Sequence, residues 1–313
     1  DPDEQCHLQN RGSDAFYVIY ACCYINDNKA NLAELNYERI NEVIALGEQI
    51  HDHLFKIILL EPDLAHGKKI YFLSDFHLGA PNAIASRERE LQLVQFLKQA
   101  KADAAAIFIV GDIFDFWFEY KTVVPKGFVR LLGCLAEISD AGIPLHIFTG
   151  NHDLWMRDYL TEELNAKVYF EPKQFEFAGK KFFIGHGDGL GPGDEGYKFI
   201  KKIFTNPVCQ WLFGWLHPDL GIQLANYFSS KSRAKTGTSD EVFMGEDKEW
   251  LIIYSKQKAK EMNADYFIFG HRHYAIDFKI NETTRYINLG DWIRLYTYGV
   301  FDGENFDLKE YKN

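Results

Sequence analysis

The sequence predicts an α/β fold, a layered sandwich, and three observations lead there. Short apolar strands alternate with helical stretches from Lys68 onward. Five strand ends run straight into loops of Asp, Asn and His. The chain has 313 residues, 47% hydrophobic and 25% charged, which is enough for a sizeable core.

The elements follow in order. Ile70 to Ser74 is a short apolar strand. Ser86 is expected to cap a helix running to about Lys101, with Leu91, Val94 and Leu97 on one face. Ala105 to Val110 is a buried strand, and a helix is expected from about Gly127 to Asp140. Pro144 to Thr149 forms the next strand. Phe175 to Phe177 and Lys181 to Gly185 read as a hairpin around Ala178-Gly179. Asp265 to Phe269 is a buried strand after a helix ending near Asn263. From Tyr274 the pattern is a β-meander, with turns at Asn281-Glu282 and Asp302-Gly303. No internal repeat or low-complexity linker is visible.

Residues 1–67 stand apart, with three of the five cysteines and only three glycines. They read as an N-terminal extension, and residues 68–313 as the chemical domain. His51-Asp52-His53 follows an expected helix rather than a buried strand, so it reads as a solvated surface triplet. Phe16 to Ile25 is too short to span a bilayer. Asp1, Asp3, Glu4 and Asp14 occupy the place of a signal peptide's basic region. The five cysteines show no CxxC spacing, and reduced thiols in a cytoplasmic protein are the expectation. A net charge of −11 argues against nucleic-acid binding, because little is gained from counterion release.

The five loops carry the chemistry. They read Ser74-Asp75-Phe76-His77, Gly111-Asp112-Ile113-Phe114-Asp115, Gly150-Asn151-His152-Asp153, Gly185-His186-Gly187-Asp188 and Gly270-His271-Arg272-His273. Loops at the carboxyl ends of strands converge in open α/β sheets, so one crevice would pool these side chains. A single DxH or HxH is a common surface pair, and GNHD alone is a turn. Five such loops, each after an apolar strand, make coincidence a poor account. Mixed Asp, His and Asn ligands suit a divalent transition ion rather than calcium, and the absence of cysteine argues against structural zinc. Seven ligands exceed one ion's needs and suit two ions about 3.5–4 Å apart sharing a carboxylate.

The order DxH, GDxxD, GNHD, GH, GHxH resembles the calcineurin-like metallophosphoesterase family, over Asp75 to His273. That resemblance implies an αββα four-layer sandwich with two divalent ions, expected to be manganese. It implies one ion on Asp75, His77, Asp112 and His273. It implies a second on Asp112, Asn151, His186 and His271, with Asp112 bridging. His152 matches the family's non-ligand histidine at the phosphate or leaving group, with Asp153 as its partner. Asp115 and Asp188 read as loop braces.

Between the fourth and fifth loops, residues 197–235 carry six basic side chains against Asp219 alone, interleaved with large apolar residues at helical spacing. A basic amphipathic insert beside a phosphoesterase site suits a lipid phosphate or an anionic membrane surface. A plain helical cap with core aromatics is the bland reading. Ser74 to Gly79, Gly111 to Tyr120, His186 to Tyr197, and Asn206-Pro207 with Gln210 to Phe213 are similar to the bacterial UDP-2,3-diacylglucosamine hydrolase family. That likeness covers about Lys68 to the C-terminus. It implies cleavage of the pyrophosphate of a UDP-linked diacyl sugar in lipid A synthesis, beneath a helical lid at about 197–235. With the basic insert, it leads to an expectation of peripheral attachment to the anionic inner-membrane surface from the cytoplasmic side; no protein partner is inferable. Asp194 and Tyr197 match sugar-phosphate contacts, Trp117 would pack on the substrate, and Lys231 and Arg233 match a polar lid stretch. One departure is His152, where the best-known branch has Arg. The alternatives are a soluble nucleotide or cyclic-nucleotide phosphodiesterase of the same fold, and a non-catalytic scaffold. A scaffold typically loses ligands, and all seven are present.

Overall fold

A computed structural model describes Leu64 and residues 67–193, 195–236 and 243–312; the side chains at 226, 228 and 230–236 lie outside the description. The expectations for His51-Asp52-His53 and for the rest of the N-terminal extension, Leu64 and Gly67 apart, fall outside the described residues. Contacts divide the chain into two units, Asp1–Glu61 and Pro62–Asn313, and every element below belongs to the second.

Two sheets form the centre. The first contains β1 (Lys69–Leu73), β2 (Ala104–Val110), β3 (Leu145–Phe148), β4 (Lys167–Tyr169), β10 (Thr297–Phe301) and β11 (Phe306–Glu310), in the order β11-β10-β1-β2-β3-β4. The second contains β5 (Lys173–Phe177), β6 (Lys180–Ile184), β7 (Tyr266–Phe269), β8 (Ala275–Lys279) and β9 (Arg285–Leu289), in the order β5-β6-β7-β9-β8. β1 to β4 pair in parallel, as do β6, β7 and β9. Their carboxyl ends therefore open onto one edge of each sheet, where the ligand loops begin.

Strand period two distributes the core. Ile70 and Phe72 point inward to Phe108, Phe182, Ile268 and Ile287, filling the space between the sheets. Tyr71 and Leu73 point outward to a second cluster, under α1 (Ala83–Ala100) and α2 (Val129–Asp140). On the far side, α7 (Trp250–Glu261) lays Leu251 and Ile252 on Phe267, Phe269 and Tyr286. The layers run helix, sheet, sheet, helix, as expected. A short α3 (Tyr159–Leu164) links β3 to β4.

Three local expectations are corrected. Asn82 caps α1, accepting from the Ile84 and Ala85 amides, while Ser86 sits inside the helix and accepts from Gly79 N at 2.8 Å. The buried face of α1 is Ser86, Arg89, Glu90, Leu93, Phe96, Leu97 and Ala100, and Leu91 is exposed. Spacing of 3.6 produces that set, and its polar members earn burial by bonding. Glu90, for example, accepts the Arg130 and Leu131 amides at 3.0 and 3.1 Å and so caps α2. The C-terminal meander splits: β8 and β9 join the second sheet, whereas β10 and β11 extend the first beside β1.

Between β6 and α7 the chain forms α4 (Glu195–Phe204), α5 (Pro207–Gly214) and α6 (Pro218–Thr236). Phe213 of α5 packs on Phe118 and Trp155, with centroids 4.8 and 4.7 Å apart, and Trp155 Nε1 donates to Phe204 O at 2.6 Å. Much of this insert's apolar surface stays open: Phe199 is 65% exposed, Trp211 60% and Trp215 75%. These exposed aromatic side chains are therefore not core residues.

Candidate metal centre

The first two loops are stitched together by their backbones. Asp75 N donates to Gly111 O, and Phe76 N and His77 N both donate to Asp112 O, at 3.1, 2.8 and 2.9 Å. Asp75, His77, Asp112, His271 and His273 all take positive φ, between 43° and 69°. Non-glycine residues adopt this region at a cost, and such strain gathers at functional sites. Five of the seven expected ligands are held this way.

The seven side chains come together. Asp112 Oδ2 lies 3.4 Å from His77 Nε2 and 3.3 Å from His186 Nε2. On one side Asp75 Oδ1 stands 3.7 Å from both His77 Nε2 and His273 Nε2. On the other, Asn151 Oδ1 is 3.2 Å from His186 Nε2 and 2.9 Å from His271 Nδ1. The Asp112 carboxylate thus sits between two half-sites, the position a shared ligand requires. His186 Nδ1 faces Val110 O at 2.8 Å; a carbonyl only accepts, so Nδ1 carries the proton and Nε2 presents its lone pair.

Electrostatics favour a cation here. Burial opposes the charged form of Asp112, yet the His186, His152 and His77 imidazoles hold its carboxyl well below the usual range. Burial likewise opposes charge on His77, but Asp112, Asp115 and Asp75 push it up to about 10. These buried carboxylates attract positive charge strongly. Asp75 Oδ1 and both ring nitrogens of His77 are buried without a hydrogen-bond partner. Orphaned donor atoms of this kind are what a metal ion satisfies, so the residues present fit divalent ions.

His152 and Asp153 depart from expectation. Asp153, expected to partner His152, is fully buried and accepts from Gly150 N, Ile113 N and Phe114 N at 2.7, 2.8 and 3.4 Å. It ties the third loop to the second, and burial pushes its carboxyl up to about 7. The neighbour of His152 is instead Asp115, whose backbone oxygen lies 3.0 Å and Oδ1 3.7 Å from Nδ1. Ser229 of α6 approaches both, 3.2 Å from Asp115 Oδ2 and 3.4 Å from His152 Nδ1.

The expected substrate contacts divide. Trp117 is fully buried, stacks on Phe114 at 4.2 Å and donates Nε1–H to Glu119 at 2.9 Å. It is a core residue, and the expectation of substrate packing is corrected. Tyr197 is half-buried, its hydroxyl donating to Asp188 at 2.5 Å, and Lys201 pairs with the same carboxylate at 2.7 Å. Asp194 lies outside the described residues, as do the side chains of Lys231, Arg233, Lys235 and Phe228.

Asp291 was missed from the sequence. Its Oδ2 stands 3.5 Å behind His273 Nδ1, where a carboxylate orients a ligating imidazole. The signal was present: Gly290-Asp291 follows β9 as Gly111-Asp112 follows β2.

Glycine lets the cluster close. A Cβ on Gly111, at φ +88°, would run into the His186 ring, and one on Gly150 would come within 2.6 Å of Asp112 N. Gly111→Ala is therefore expected to displace His186 and weaken divalent-ion affinity about 10–100-fold, as loss of support for a ligand typically does. A metal titration of the variant checks this, and unchanged affinity would contradict it.

A family model described as Calcineurin-like phosphoesterase matches residues 68–275. A UDP-2,3-diacylglucosamine hydrolase of Porphyromonas gingivalis is 38% identical over 259 residues, covering 77% of this chain and 97% of that protein. One of the same name from Haemophilus ducreyi is 26% identical, covering 71% and 91%. Among solved structures, the phosphoesterase Yfce from E. coli aligns at 14% identity and a TM-score of 0.36, over 74% of this chain and 87% of that one.

Proposed function

The chain belongs to the calcineurin-like phosphoesterase family, and on that premise we propose that it hydrolyses the pyrophosphate bond of UDP-2,3-diacylglucosamine, as part of lipid A biosynthesis, to UMP and 2,3-diacylglucosamine 1-phosphate. One observation carries the reading: a buried cluster suited to divalent ions lies directly beneath a helical insert that exposes large apolar side chains. The insert reaches the cluster through Lys201 on Asp188 and through Ser229 on Asp115. A substrate with a charged diphosphate and two acyl chains needs both surfaces at once.

Family membership implies divalent ions, which we assign as two Mn²⁺. Asp75, His77, Asp112 and His273 would hold one, and Asp112, Asn151, His186 and His271 the other. When bound, such a pair supplies an activated water and neutralises charge on the phosphoryl oxygens. The chain's own residues supply orientation and a proton. The Asp115 carbonyl fixes the Nδ1–H tautomer of His152, leaving Nε2 basic. Burial lowers the His152 pKa, and the Asp112 and Asp115 carboxylates oppose that. An arriving phosphoryl anion would add to the opposing side and favour a proton at Nε2. It can then pass that proton to the departing sugar phosphate. Asp153 holds the loop that carries His152. Tyr197 and, by its motif position alone, Asp194 would contact the sugar phosphate.

We assign residues 68–313 as the catalytic domain, with the lid at about 197–235, and residues 1–67 as an extension. Phe199, Trp211 and Trp215 would meet the acyl chains or the bilayer, and exposed Lys202, with Lys231 and Arg233, its anionic headgroups. No helix among the described residues is long and apolar enough to cross a membrane. Vesicles with anionic lipid are therefore expected to bind the full chain, less so as salt is raised. Sedimentation with anionic and neutral vesicles checks this; binding indifferent to lipid charge and salt would contradict it. The reaction itself is tested by incubating the Mn²⁺-loaded protein with UDP-2,3-diacylglucosamine and identifying the products. UMP and the acylated sugar 1-phosphate are expected. Intact substrate, or release of inorganic phosphate alone, would refute the assignment.

A further inference from the structure

We infer that Glu249 is a positioning residue for the histidine pair of the fifth loop, acting through Arg272. This rests on the metal assignment above. Arg272 separates His271 and His273, and those two residues hold positive φ of 69° and 46°. A loop with such a residue on each side of its centre needs something rigid to hold it there. The Arg272 side chain is only 1% exposed and meets Glu249, which is fully buried. Nε faces Oε2 at 3.1 Å and Nη2 faces Oε1 at 3.2 Å, a two-pronged contact that fixes orientation as well as distance. The Trp250 ring lies against the guanidinium, 4.3 Å from centroid to Cζ.

Glu249 has further partners. Tyr274 Oη donates to Oε2 at 2.8 Å, and Met244 N donates to Oε1 at 2.9 Å. Met244 belongs to the segment that returns from the helical insert to α7. One carboxylate therefore holds both the foot of that segment and the loop bearing two metal ligands. A buried ion pair is weak grounds for stability, because apolar replacement of both partners is often neutral. Its value here is geometric: it keeps His271 Nδ1 at 2.9 Å from Asn151 Oδ1 and His273 Nε2 at 3.7 Å from Asp75 Oδ1.

Two variants of the full chain test this, with Mn²⁺ alone as the probe. Glu249→Gln keeps the shape but weakens the fork. The double variant Glu249→Leu with Arg272→Met removes both charges and leaves no buried ion unpaired. Each metal-stripped protein is titrated with Mn²⁺ by calorimetry and electron paramagnetic resonance, beside a thermal melt. We expect about 10–100-fold weaker affinity in both variants; the double variant also leaves Tyr274 Oη and Met244 N without their acceptor, so the melt serves to show that it is still folded at the titration temperature. Wild-type affinity in the double variant would overturn the inference, since the pair would then matter only for stability. Should the double variant not fold, Glu249→Gln decides in the same way: weaker binding upholds the inference and unchanged binding overturns it. No Mn²⁺ uptake by the wild type would overturn the metal assignment and this inference with it.

Discussion

Asp112→Ala is expected to abolish turnover and to strip both divalent ions from the chain. Its Oδ2 is within 3.4 Å of a histidine from each half-site, which places the carboxylate between the two sets of ligands. Loss of the carboxylate leaves His77 and His186 without the neighbour that most strongly supports their positive charge. The rate loss should be at least the about 10²–10³-fold that removal of one preorganised electrostatic group costs. The fold should survive, because the three core clusters are built from other residues. Metal analysis and turnover of a variant with wild-type circular dichroism check this. Retention of two ions per chain would contradict the bridging role.

His152→Ala is expected to lower turnover by about 10²–10⁴-fold, the usual contribution of a proton donor or acceptor, while metal content stays at the wild-type level. The test is sharp because geometry permits the opposite: His152, His77 and Asp112 bring potential ligand atoms within 4.8 Å of one another. The Nδ1 contact with the Asp115 carbonyl leaves Nε2 free for a proton or for a metal ion, so metal content decides between the two roles. Loss of an ion on substitution would make His152 a ligand. His152→Arg supplies a fixed cation at the same place and should retain measurable activity.

The seven candidate ligands could be found in the sequence because each follows an apolar strand in a short, polar, glycine-marked loop. The alternation of strands and helices was legible because their periods differ, whereas the four-layer order came from the family resemblance. The backbone strain at Asp75, His77, Asp112, His271 and His273 was hidden, because side-chain type does not encode a left-handed φ imposed by neighbouring loops. Asp115 and Asp153 exchanged expected roles because they stand in adjacent loops and only three-dimensional placement decides which carboxylate meets amides and which meets an imidazole. Trp117 looked like a substrate platform from its place after the second loop, yet it turns inward onto Phe114. Glu249 carried no motif at all, being the last of three acids just before a helix. The division of the C-terminal strands was hidden too, because a turn signal at Asp302-Gly303 says where the chain reverses and not which sheet receives it.

Catalytic efficiency on UDP-2,3-diacylglucosamine compared with UDP-N-acetylglucosamine tests the central claim most directly. Each buried methylene contributes about 0.8 kcal/mol, so two acyl chains against the exposed apolar face of α4 to α6 could supply much of the substrate's affinity. Competition from detergent and the entropy of association will reduce that gain. The account predicts much higher kcat/KM for the diacylated substrate, and loss of that preference when residues 199–230 are replaced by a short linker that leaves hydrolysis of bis-p-nitrophenyl phosphate measurable. Equal kcat/KM for the two UDP-sugars in the intact chain would contradict it and point to a phosphodiesterase of soluble nucleotides.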